Sequence, residues 1–197
     1  LPIIGFYGVD NPPAESLDYV SDMLHIMGSF IVSSIRRRNL LRQLERMSYR
    51  DQLTQFGNRY AVDWFVEHEW NGEQIGVVYC DITGLKKVND EQGHEAGDRL
   101  IIRACECLAG VFKGYGLYRI GGDEFLVLCL GIEEKDLREH VEKLRMDMKE
   151  HQVTMAVGMI WKEHGPKDID LLLNESERLM YEDKDRYYKE HGLKRRR

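Results

Sequence analysis

The sequence predicts an α+β fold: a central, mostly antiparallel sheet with helices packed on it, preceded by a long N-terminal helix. Three observations carry that prediction. Residues 75–82, Ile-Gly-Val-Val-Tyr-Cys-Asp-Ile, form an apolar run of strand length, as a buried strand does. Gly121 and Gly122 lie between β-prone segments, as in a tight hairpin, where glycine supplies the positive φ of a primed turn. Residues 133–151 carry Leu137, Val141, Leu144 and Met148 on one helical face, which needs a sheet to cover it. The order strand, helix, hairpin, helix, strand, helix has no repeat period and predicts a two-layer core.

The elements follow in order. Residues 1–13 read as a strand closed by a turn at Asn11-Pro12-Pro13. From Glu15 to about Met47 one long helix is expected, because Leu17, Val20, Leu24, Met27 and Ile31 step by three and four. Arg36, Arg37 and Arg38 interrupt that stripe, and Leu40, Leu41, Leu44 and Met47 resume it on a shifted face. Such a stripe is a core or a dimer seam, and a partner helix fits it. Residues 48–58 form a polar joint, 60–69 a helix, and 83–98 a glycine-containing loop and helix start. A helix over 98–112, hairpin strands over 116–120 and 124–130, a strand over 153–161 and a last helix over 168–190 complete the chain. The boundary between the two parts is placed at 47/48.

Composition narrows the function classes. The chain has 197 residues, 43% hydrophobic and 31% charged, which suits one sizeable domain plus an appendage. A net charge of −6 disfavours nucleic acid as a partner. Cys80, Cys105, Cys107 and Cys129 lie in apolar stretches without C-x-x-C spacing, so buried thiols are expected rather than a zinc site. His94 has no second His or Cys spaced for zinc and reads as a turn residue. No apolar run of these residues reaches the length of a bilayer span and none reads as a signal peptide, so a cytoplasmic setting without membrane contact by this fragment is expected. The start at Leu1, inside a strand-like run, reads as a piece of a longer protein.

The chemistry is carried by acids at strand ends. Asp81 closes one strand and Asp123-Glu124 opens another, so neighbouring strands would gather three carboxylates at one sheet edge. Oxygen-rich groups of this kind bind magnesium together with substrate phosphates. The turn Thr83-Gly84-Leu85-Lys86 lets backbone amides and a lysine approach phosphate. Asn89 and Asp98, either side of Gly93-His94, could hydrogen-bond a purine, and a carboxylate matches the donor pair of guanine. Taken singly, Asp81 could be a strand-end cap, Asp98 a helix cap, and the hairpin acids merely solvated.

The run Asp81-Ile-Thr-Gly-Leu-Lys-Lys-Val-Asn-Asp-Glu-Gln-Gly-His-Glu-Ala-Gly-Asp98, followed by Gly121-Gly122-Asp123-Glu124-Phe125, resembles the GGDEF family of diguanylate cyclases. Asp51-Gln-Leu-Thr-Gln-Phe-Gly-Asn-Arg59 resembles its opening motif, and Met180-Tyr181 with Lys184 its closing helix. The resemblance covers about residues 48–190. It implies a ferredoxin-like nucleotide-cyclase palm that condenses two GTP into cyclic di-GMP and two pyrophosphates. It also implies a homodimer and two Mg2+ (or Mn2+) ions per active site. Carried over residue by residue, Asp81, the Ile82 carbonyl and Glu124 hold metal. Asp123 holds metal or helps deprotonate the attacking hydroxyl. The Gly84, Leu85 and Lys86 amides bind phosphate, Asn89 and Asp98 read guanine, Gly121 and Gly122 make room for the nucleotide, and Lys184 reaches the triphosphate.

The chain also departs from the family pattern. Thr83 replaces a second acid, and Tyr188 stands where many members place a second phosphate-contacting arginine, with Arg186 close by. The window of the family's inhibitory Arg-x-x-Asp reads Phe112-Lys-Gly-Tyr115, so no product-inhibition site is expected there. Arg119 suits either a salt bridge within the hairpin region or a phosphate. Gly5-Phe-Tyr-Gly-Val-Asp-Asn-Pro12 and the helix after it resemble the last strand and helix of a GAF sensor domain, implying an upstream sensor. The rival reading is a catalytically inactive GGDEF domain that binds GTP or a protein partner. Another purine cyclase activity is disfavoured by Asp98.

Overall fold

The computed structural model describes residues 14–47, 49–166 and 168–192. The strand and GAF-like motif expected within residues 1–13 lie outside the described residues. Two units are distinguished, Leu1–Met47 and Ser48–Arg197. In the first, helix α1 (Ala14–Met47) runs unbroken through Arg36, Arg37 and Arg38. Met27, Phe30, Ile31 and Ile35 on it are exposed.

The second unit runs α2 (Arg59–His68), β1 (Ile75–Ile82), α3 (Leu85–Gln92), α4 (His94–Val111), β2 (Gly116–Arg119), β3 (Glu124–Leu130), α5 (Glu134–Glu150), β4 (Met155–Lys162) and α6 (Asp170–Glu190). The sheet order is β2-β3-β1-β4, with every neighbouring pair antiparallel. This is the ferredoxin-like arrangement.

The two-layer expectation is corrected. Every residue of β1 is buried, so both of its faces need cover. Val78, Cys80 and Ile82 pack with α4 and α5 through Leu108, Leu137 and Leu144. Val77 and Tyr79 pack on the other face with Val62 and Phe65 of α2 and Leu172 and Met180 of α6. The four cysteines are buried free thiols, and burial pushes the Cys80 thiol up to about 12. Among the described residues, no helix is long and apolar enough to cross a membrane.

One contact fixes where α6 lies. A Cβ on Gly158 of β4 would come within 2.1 Å of the Ser176 carbonyl oxygen and 2.3 Å of the Met180 nitrogen. Only glycine allows the helix backbone to approach the strand so closely. Asp183 secures the same docking: its Oδ2 accepts from the Val157 backbone N–H at 2.9 Å and from Arg145 at 3.2 Å.

Candidate functional site

The site is built at the end of β1. Antiparallel register sets Asp81 directly opposite Glu124, so both side chains leave the same face of the sheet. The Ile82 N–H donates to the Asp123 carbonyl at 2.9 Å, tying the hairpin tip to that strand end. The three acids expected from sequence therefore share one edge. Asp81 is only 4% exposed. Burial first, then the charges of Asp123, Asp81 and Glu177, push the Glu124 carboxyl above its ordinary value, while the Tyr79 hydroxyl acts in the opposite direction. Neither Tyr79 nor Glu177 was singled out in the sequence, since neither lies in a motif.

The hairpin differs from the turn expected. Residues 120–123 link the strands, and neither Gly121 nor Gly122 adopts positive φ. The requirement is spatial instead: a Cβ on Gly121 would stand 2.3 Å from Glu124 Oε2.

Arg119 holds this turn. One guanidinium nitrogen donates to the Gly122 carbonyl at 2.7 Å, the other to Asp51 Oδ1 at 3.1 Å. Burial raises the Asp51 carboxyl, but hydrogen bonds from Thr54 and Arg119 outweigh it and hold the group below its ordinary 3.8. Of the two roles open to Arg119, the structure displays the salt bridge.

The helices after β1 place the remaining residues. Gly84 precedes α3 with φ 87°, and no side chain caps that helix, so the amides of its first turn face outward unbonded by a cap. Leu85 is buried and Lys86 exposed. Asn89 lies on α3 against Gly97 of α4, where a Cβ would stand 1.9 Å from Asn89 Oδ1. That oxygen is buried without a hydrogen-bond partner. An unmet buried acceptor beside an open helix start suits a ligand with N–H donors. Asp98 is exposed one turn inside α4, because that helix begins at His94 rather than at Asp98.

Lys184 reaches the site from α6. Its Nζ lies 2.6 Å from Asp81 Oδ1, with both side chains largely buried. Arg186 is exposed with its guanidinium 3.5 Å from Asp183, and Tyr188 packs edge-on to Tyr187. Phe112 is fully buried, and His140 stands between it and Tyr115 at ring separations of 5.6 and 6.0 Å.

Among the described residues no group of three or more His, Cys, Asp or Glu side chains forms a ready metal cage. Magnesium does not need one, since it takes one or two carboxylates and completes its shell with water and phosphate. Lys184 offsets the charge of Asp81, while Glu124, raised by burial and then by its acidic neighbours, faces it across the strands, and this pair of carboxylates fits such an ion.

Comparison with known proteins bears on the family and the fold. Escherichia coli diguanylate cyclase DgcP is 25% identical over 210 aligned residues, covering 93% of this chain and 62% of that protein. Escherichia coli cyclic di-GMP phosphodiesterase PdeR is 29% identical over 164 residues, 75% of this chain and 24% of that protein. The chain thus spans less than two thirds of either relative. The coiled coil and GGDEF domain of DgcB from Caulobacter crescentus, solved with c-di-GMP, has the same fold at a TM-score of 0.63 and 20% identity, over 83% of this chain and 94% of that one. The model of the diguanylate cyclase GGDEF domain matches residues 48–189, and the chain belongs to that family.

Proposed function

We propose that this chain is an active diguanylate cyclase, condensing two GTP into cyclic di-GMP with release of two pyrophosphates. The observation that carries the reading is the buried Asp81 facing Glu124 across the strands, with Lys184 beside it. Lys184 gives Asp81 a structural partner, whereas Glu124 is pushed up by burial and by the charges of Asp123, Asp81 and Glu177, a cost that a metal-binding role explains. In this reading Asn89 and Asp98 read guanine, the α3 amides from Gly84 to Lys86 hold phosphate, and Lys184 moves from Asp81 to the triphosphate. Bound magnesium or manganese, two ions per site, supplies charge neutralisation at phosphorus and a more acidic attacking hydroxyl. Asp81, the Ile82 carbonyl and Glu124 would hold it, with Asp123 as a further ligand or as the group that takes the proton. The 3′-hydroxyl of one GTP attacks the α-phosphorus of the other, and the bond to pyrophosphate breaks.

Each protomer supplies half the centre, so the active form is a homodimer. The exposed apolar residues of α1 support a partner helix, and an upstream GAF-like sensor would set its register. The second reading is an inactive domain that binds GTP or a protein. The likeness to PdeR, named as a phosphodiesterase, keeps that reading in play.

Incubation with GTP and magnesium, followed by chromatography, separates the two. Cyclic di-GMP that disappears in Glu124→Gln supports the cyclase. GTP binding without turnover in a dimeric sample overturns it.

A further inference from the structure

A second polar cleft lies apart from the acids, on the side of the α3–α4 pair that faces the start of β4. It has a volume of about 260 Å3, and its walls include Thr83, Gln92, Arg99, Arg103, Gln152 and Thr154. Asn89, Asp98 and the hairpin acids are not among its walls.

Two observations single it out. Among the described residues, four buried side-chain polar atoms have no hydrogen-bond partner, and two of them, Thr83 Oγ1 and Arg103 Nε, belong to this cleft. Buried polar atoms are normally bonded, so two unmet ones in residues of one wall mark a wall whose polar groups the protein itself does not satisfy. Arg99 adds a second cation, whose ion pair among the described residues is with an exposed Glu95 at 4.0 Å. Gln152 is held at φ 53°, one of two non-glycine residues described with positive φ. That conformation is the left-handed stop of α5, with the Gln152 N–H donating to Lys149 and the Val153 N–H to Met148, and it sets Gln152 in this wall.

We propose that this cleft binds a small phosphate oxyanion. Two guanidinium groups, a threonine hydroxyl and glutamine amides supply donors alone or donors by choice, and planar guanidinium matches phosphate oxygens. Among the described residues, no acidic side chain lines the walls to repel the anion. Free phosphate and pyrophosphate share this chemistry. The site touches the catalytic edge through one residue: the Thr83 N–H donates to the Thr154 carbonyl at 2.8 Å, two residues after Asp81. The proposal depends on no step of the reaction proposed above.

The test is titration of inorganic phosphate into the nucleotide-free protein, followed by 1H–15N spectra of the Arg103 Nε–H and the Gln152 and Thr154 amides. Saturable shifts at these signals are expected. Arg103→Gln should raise the dissociation constant at least tenfold, and Arg99→Gln should raise it less, with GTP affinity unchanged in both. A parallel titration with pyrophosphate shows which anion the cleft prefers. Arg103→Lys, which keeps the charge but lacks Nε–H, covers the case in which the glutamine variant unfolds and should also weaken binding. Shifts confined to the Leu85 and Lys86 amides, non-saturable shifts, or equal affinity in the arginine variants would overturn the proposal. Because no turnover is read, failure of the cyclase activity leaves this outcome independent.

Discussion

Lys184 Nζ rests 2.6 Å from Asp81 Oδ1, bringing a cation from the last helix onto a carboxylate at the end of the central strand. Their side chains are 14% and 6% exposed, so neither charge is well solvated. Removing one partner would strand the other in a poorly hydrated place. Lys184→Met should therefore destabilise the protein by about 3 kcal/mol, the order found when a buried pair is broken from one side. Urea unfolding of the variant measures it. A loss below 0.5 kcal/mol, the scale of an exposed pair, would mean the ion pair is solvated in solution.

Gly97 and Asn89 make a second, more specific test. Gly97→Ala places a methyl where Asn89 Oδ1 now lies, so the asparagine must swing away. GTP affinity by calorimetry should fall at least tenfold, while an exposed neighbour such as Arg99→Ala leaves it unchanged. Unaltered GTP binding in Gly97→Ala would remove Asn89 from the nucleotide site.

Gly158→Ala tests how α6 is held. The added methyl meets helix backbone rather than a flexible side chain, so relief requires moving the helix. Overpacking of this kind costs about 1–3 kcal/mol. The same variant should also weaken GTP binding, because Lys184 moves with α6. Wild-type stability in the variant would mean the helix rides higher in solution.

Asp51 provides a pH signature. Its carboxyl is held below the ordinary 3.8, so its stabilising effect is fully present above that pH. The effect is lost as pH falls through the depressed folded value. Asp51→Asn should lower the urea midpoint at neutral pH, and its deficit should shrink as the pH drops below 3.8. A deficit that stays constant down to the acid transition would show that the charge is not what matters.

The exposed face of α1 bears on dimerisation. Ile31→Glu, on a residue 44% exposed, should leave the catalytic unit folded while lowering specific activity at fixed concentration. Activity that is independent of both the variant and protein concentration would dissociate this helix from assembly.

Local signals made part of this legible. The apolar run of β1 and the acids following Gly121-Gly122 were enough to bring Asp81 and Glu124 to one edge, because strand pairing turns sequence position into geometry. The helix α3 was not legible: Gly84 and Gly93 look like loop residues, yet they bracket eight helical residues, with Gly93 at φ 83° as the break. Gly97 reads as a third breaker but lies inside α4, where its missing side chain serves Asn89. The bond between Arg119 and Asp51 spans 68 positions, and no local pattern reports such a partner. The second covered face of the sheet followed from residues of both parities on β1, a pattern that signals burial without saying how many layers provide it.

The link between Lys184 and Asp81 spans 103 positions of chain. During synthesis the Gly-Gly-Asp-Glu-Phe signature emerges from the ribosome about 60 residues before its counter-charge does, counting from Phe125 to Lys184. A product truncated ahead of Lys184 carries the whole signature and still presents Asp81 without its native cation. Ribosome order thus makes the last helix the closing step of the site's assembly, so a shortened chain can bear the family's hallmark and lack its finished edge.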